Sequence, residues 1–116
     1  MLTNDQADNA FQALHDAQRA AQMLYMDLRD AGDGVGAANA KLRADRVQNE
    51  IDNLINKELT DWLAGAEKLI PQLSAAANAA LQAVNKVQND VKDAQKVVSA
   101  MKYLDSAISI AMNFIG

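Results

Sequence analysis

The sequence predicts an all-α fold, an antiparallel up-down-up bundle of three long helices in a single domain spanning residues 1–116, and three observations carry that expectation. First, a heptad seam occupies the last third of the chain. Leu73, Ala77, Ala80, Val84, Val87, Val91, Ala94, Val98, Met101, Asp105, Ile108, Met112 and Ile115 recur at alternating spacings of four and three, and Asp105 is the single polar interruption. Second, strong helix breakers are concentrated at two places, the glycines between Gly32 and Gly36 and the single proline, Pro71. Third, the five aromatic residues and the abundant Ala, Gln, Asn and Asp make strands improbable and describe a core of small and aliphatic side chains.

Helix 1 is expected over about residues 4–31. Thr3 followed by Gln6 forms a capping box, in which each side chain meets an otherwise unpaired amide. Its inward stripe is Ala7, Ala10, Leu14, Ala17, Ala21, Leu24, Leu28 and Ala31, and it stops at Gly32-Asp33-Gly34-Val35-Gly36, where glycine supplies left-handed backbone.

Helix 2 is expected over about residues 37–69, with Ala40, Ala44, Val47, Ile51, Leu54, Leu59, Trp62, Ala66 and Leu69 inward. A phase slip near residue 59, where Thr60 and Asp61 can cap a new turn, predicts a kink. Pro71 then lacks a backbone donor and disfavours helical geometry in Ile70, which predicts a reversal between Ile70 and Ser74, with a kink in a much longer helix as the alternative.

Helix 3 is expected over about residues 74–115. At ~1.5 Å per residue the three helices measure roughly 42, 50 and 62 Å, so helix 3 overshoots its neighbours along Tyr103 to Gly116. That segment is apolar on most of its circumference and needs partners on more than one side. Tyr103, Leu104, Ile108, Ile110, Met112, Phe114 and Ile115 are therefore the expected partner-binding residues, with a second copy or another protein as the occupant. The competing arrangement is a short C-terminal fold-back capped by Asp105 or Ser106.

Charge and motif content narrow the function. The net charge is -4, with six Asp against two Arg in residues 1–36 and three acids against four Lys in residues 71–116. No dense basic face is present, so nucleic acid is not an expected partner. The basic-then-acidic pairs four apart, such as Arg46 and Glu50 or Lys86 and Asp90, stand in the weaker orientation and read as solvated surface. His15, beside Asp16 and Arg19, is the only histidine; with no cysteine or second histidine at ligand spacing it is expected to be a surface residue, and no catalytic, metal or cofactor site is expected. The glycines at 32–36 lack the preceding strand, Lys and Ser/Thr of a phosphate loop.

Trp62 followed by Gly65, in a chain of this length and composition, partly resembles the WXG100 helical hairpins. That family sets its tryptophan and glycine two apart at a turn, whereas here they stand three apart inside a predicted helix, so the residues fit a core tryptophan over a small glycine surface and no membership follows.

The functional expectation is a non-enzymatic bundle that acts through protein-protein contacts and self-association, in an assembly or adaptor role. The alternative is a secreted or membrane-active bundle whose apolar C-terminal segment engages lipid or a partner subunit. Membrane contact is the weaker expectation, because an interfacial helix carries Lys or Arg on its polar face and only Lys102 stands at the edge of this one. The acidic N-terminus has no signal-peptide pattern, which favours the cytoplasm, with signal-independent secretion as the other route.

Overall fold

Thr3 opens the first helix as its spacing requires: the Gln6 amide donates to Thr3 Oγ1 at 3.1 Å and the Thr3 amide to Gln6 Oε1 at 2.8 Å. In the computed structural model, which describes residues 2–62 and 64–115, α1 then runs Asn4–Asp30. It ends in a Schellman turn. The Asp33 amide reaches back to the Leu28 carbonyl at 2.9 Å, and the Gly32 amide to the Arg29 carbonyl at 3.0 Å, with Gly32 at φ 81°. Asp33 has a second task, since its carboxylate accepts from the Gly36 amide at 2.9 Å and caps the next helix. Gly34 and Gly36, expected in the loop, therefore lie in the first turn of α2, Gly34–Ile55.

Among the described residues four α-helices are present where three were expected. The expected helix 2 stops at Ile55 instead of continuing to residue 69, and the described residues between Ile55 and Ala66 form an irregular crossing that includes a 3-10 turn at Leu59–Asp61. The phase slip near residue 59 thus marks a break and not a kink. Next, α3 runs Ala66–Asn89, with Gly65 at its N-terminus in left-handed backbone, φ 90°. Pro71 lies inside α3, correcting the expected reversal there. The ring is tolerated because it stands in the second helical turn and is exposed, so only the donor to one early carbonyl is lost. The expected helix 3 is itself divided: Asp90 ends α3, Asp93 accepts from the Gln95 amide at 3.0 Å, and α4 runs Ala94–Met112. The fold-back is real but begins at Asp93, twelve residues before Asp105, and forms a full helix.

Two cores show the direction of each helix. One joins the start of α1, the ends of α2 and α4 and the start of α3 (Leu14, Leu54, Leu73, Phe114), and the other joins the opposite ends (Leu24, Ala40, Val84, Leu104). The chain therefore runs up, down, up, down. Extensive packing links α1 to α2, α1 to α3 and α3 to α4, whereas α2 meets α4 only slightly. The result is two antiparallel hairpins, α1–α2 and α3–α4, docked along α1 and α3, which run parallel. The 56–65 crossing exists because α2 and α3 lie on a diagonal of the bundle. The four helices, 19 to 27 residues long, form a rod of 46 × 21 × 18 Å, and the expected 42-residue helix 3 with its overhanging end is replaced by two shorter helices.

Small residues bring the axes together. Ala10, Ala17, Ala20 and Ala21 of α1 and Ala77 and Ala80 of α3 are fully or almost fully buried, which favours the short end of the usual 8 to 10 Å separation. Bulk is concentrated at the crossing end. Trp62 packs edge-on against Phe11 (centroids 5.9 Å apart) and tilted against Phe114 (5.7 Å), so the crossing segment itself closes that end of the core.

Candidate functional site

The geometry of α4 follows from which of its two apolar stripes packs inward. Ala100, Leu104, Ala107, Ile108 and Ala111 are buried, and three of these five are alanines that let α4 approach α3 closely. Of the heptad-seam members past the Asp90–Asp93 turn, only Ile108 is among these buried residues. Of the others, Val98, Asp105 and Met112 share the face seven residues apart that looks toward α2 and solvent; Val98 is 58 % and Met112 62 % exposed, and Met101 and Ile115 are half-buried on the flank.

Arg43 on α2 secures this side of the bundle. Its guanidinium donates to Asp105 at 2.9 Å through Nε and 3.1 Å through Nη2, and to the Asn39 carbonyl at 3.1 Å through Nη1. The Arg43 side chain is 19 % exposed, so the fork is partly sheltered and of the geometry that makes such pairs strong. Below it Glu50 and Asn53 of α2 and Lys57 of the crossing face Met112 and Ile115 across an open groove of about 260 Å³. Burial pushes the Glu50 carboxyl above the usual carboxylate range.

The seven residues expected to bind a partner are thus divided by the fold. Leu104, Ile108 and Phe114 are interior, Ile110 and Ile115 pack partly against the core, and Tyr103 and Met112 are exposed. Tyr103 lies on the α3 side, in a groove with Ala79, Gln82 and Lys86, apart from Met112. Val98 and Arg43 were not among the expected residues. The signal for Val98 was its place in the seam, read as inward; for Arg43 the sequence offers none, because its partner is distant in the chain.

Elsewhere, polar chemistry is sparse. His15 is exposed on α1. Among the described residues no group of three or more His, Asp or Glu is placed to hold a metal ion, and no helix is long and apolar enough to cross a membrane. None of the basic-acidic pairs four apart named above closes to an ion pair; the pairs observed are Arg19–Asp16, Arg29–Asp30, Arg43–Asp105 and Lys96–Asp90. Burial raises the Asp27 carboxyl from its ordinary value, Gln88 on α3 opposes that shift, and Asp30 adds to it. Comparison with family models, curated proteins and solved structures finds no match to this chain.

Proposed function

We propose that this chain is a non-enzymatic bundle that acts through protein-protein contact, and that the α2-facing side of α4 is its contact surface. One observation supports the reading above others: after the bundle has filled its core from one stripe of α4, Val98 and Met112 remain more than half exposed on the same outer face of the helix. An apolar ridge of this kind gains free energy when another surface covers it. The groove beside it is smaller than the roughly 300–1,000 Å³ of ligand sites, which favours a ridge-binding surface over a small-molecule pocket.

A photoreactive residue placed in the full chain at position 98 or 112, with position 9 on α1 as control, tests this in the native cells. Asn9 is exposed and lies away from α4. Protein adducts from 98 and 112 but not from 9 are expected. Adducts to lipid alone, equal yields from all three positions, or no adduct at all would overturn the reading.

A further inference from the structure

The other flank of α4 carries a groove of different chemistry. Lys96, Ser99 and Tyr103 stand three and four apart on α4, and Ala79, Gln82 and Lys86 repeat that spacing on α3. The two stripes line a groove of about 430 Å³, which, unlike the groove beside Met112, falls within the roughly 300–1,000 Å³ of ligand sites.

Donors dominate its walls. Both lysines, Gln82, Gln95, Ser99 and Tyr103 offer N–H or O–H groups, and among the described lining residues Asp93 alone has a side chain that only accepts. The Asp93 carboxylate is engaged at the start of α4, where it accepts from the Gln95 amide at 3.0 Å. Lys96 stands 3.6 Å from Asp90, beyond hydrogen-bond length, and both side chains of that pair are more than a third exposed, so water screens it. Lys86 makes no ion pair among the described residues. The wall therefore holds two cations with little internal compensation, and an acceptor-rich anion is the ligand that satisfies it.

Residue order divides the groove along its length. Lys86 lies near the end of α3 and Lys96 near the start of antiparallel α4, so both cations sit by the turn, whereas Ala79 and Tyr103 lie two helical turns, roughly 10 Å, further along. One end is cationic and the other offers an aromatic ring beside alanine. We propose that this groove binds a small organic phosphate monoester, its phosphoryl group between Lys86 and Lys96 and its organic part along Ala79 and Tyr103. The phosphoryl oxygens can accept from both ammonium groups and from Ser99 or Gln82 at once, while the ring supplies apolar contact that inorganic phosphate cannot use. The site is apart from the contact face and does not depend on that reading.

Titration of the full chain with phenyl phosphate, inorganic phosphate and phenol, followed by amide chemical shifts at constant ionic strength, tests the site. Phenyl phosphate is expected to saturate with a Kd of about 1 mM and shifts centred on residues 79–86 and 95–103, inorganic phosphate to bind at least about threefold more weakly, and phenol not to saturate. Lys86→Gln and Lys96→Gln alter side chains at the surface, so folding is preserved, and each is expected to weaken phenyl phosphate about fivefold with melting unchanged. Lys57→Gln, the same charge change at the opposite end of the bundle, is expected to leave binding unaltered. No saturable binding of phenyl phosphate, shifts centred elsewhere, or equal weakening by all three substitutions overturns the proposal. Phenol binding as tightly as phenyl phosphate overturns the anion site, and inorganic phosphate binding as tightly overturns the organic ligand.

Discussion

Asp27 is where a single side chain couples this bundle to pH. Its Oδ2 is buried with no hydrogen-bond partner among the described residues, and burial raises its carboxyl above the ordinary value it regains on unfolding. The folded state therefore binds its proton more tightly, and the sign follows: this group penalises folding once pH rises through the raised value, and the penalty vanishes below the ordinary one. Asp27→Asn is expected to raise the melting temperature at pH 7 relative to wild type and to leave it nearly unchanged at pH 3, as calorimetry at the two values will show. His15→Ala is expected to leave helicity, melting and any measurable activity unaltered, because the side chain is exposed; loss of activity with helicity retained would overturn the non-enzymatic reading. Val87 is the opposite case. It is fully buried in the core cluster to which all four helices contribute, so Val87→Asp strands a carboxylate in the core at a cost of several kcal/mol, a large part of the stability of a chain this size.

At the scale of elements, Gly65 and Pro71 make opposing tests of how α3 begins. A Cβ at Gly65 meets nothing within 4 Å, so Gly65→Ala costs only the left-handed backbone, about 1–2 kcal/mol, visible as a lower denaturant midpoint. Pro71→Ala restores a helical hydrogen bond and is expected to raise the unfolding free energy by about 1 kcal/mol, visible as a higher midpoint. The start and stop of α1 were legible because Thr3, Gln6 and Gly32 act on neighbours a few residues away. Most buried positions from Ala7 to Leu54 were legible for the same reason, since periodicity within one helix is local, although Ala31, expected inward, is exposed beyond the helix end and Ala13, Ala20 and Ala37 are buried without having been expected. The Asp90–Asp93 turn was not, although two aspartates stand at its ends as caps: Val91 and Ala94 continue the apolar spacing across it and conceal the change of direction. Pro71 misled because proline ends most helices, and only its closeness to a helix start, set by Gly65, makes it tolerable. Within α4 the sequence offers two apolar stripes, and the choice belongs to α3, whose close approach selects Ala100, Ala107 and Ala111. Half of the candidate site was therefore readable as apolar residues, but which of them point outward depended on that choice.

For the molecule as a whole, the parallel pairing of α1 with α3 has a consequence for how the chain finds its fold. Each hairpin, α1–α2 and α3–α4, is closed by a short turn and gathers contacts between residues close in sequence, at small entropic cost. The α1–α3 contact joins residues far apart and returns nothing until both hairpins exist. Association of two preformed hairpins is thus the slow event, and the transition state is expected to contain Leu28 contacts near the first turn before those of Leu73 with α1. A large retardation of folding by Leu73→Ala, with an unfolding rate close to that of wild type, would reverse the order. The same division assigns Trp62 a kinetic role: fixed between Phe11 of the first hairpin and Phe114 at the end of the second, it is the bolt that slides home last, and its indole fluorescence reports the docking of the halves and not their formation.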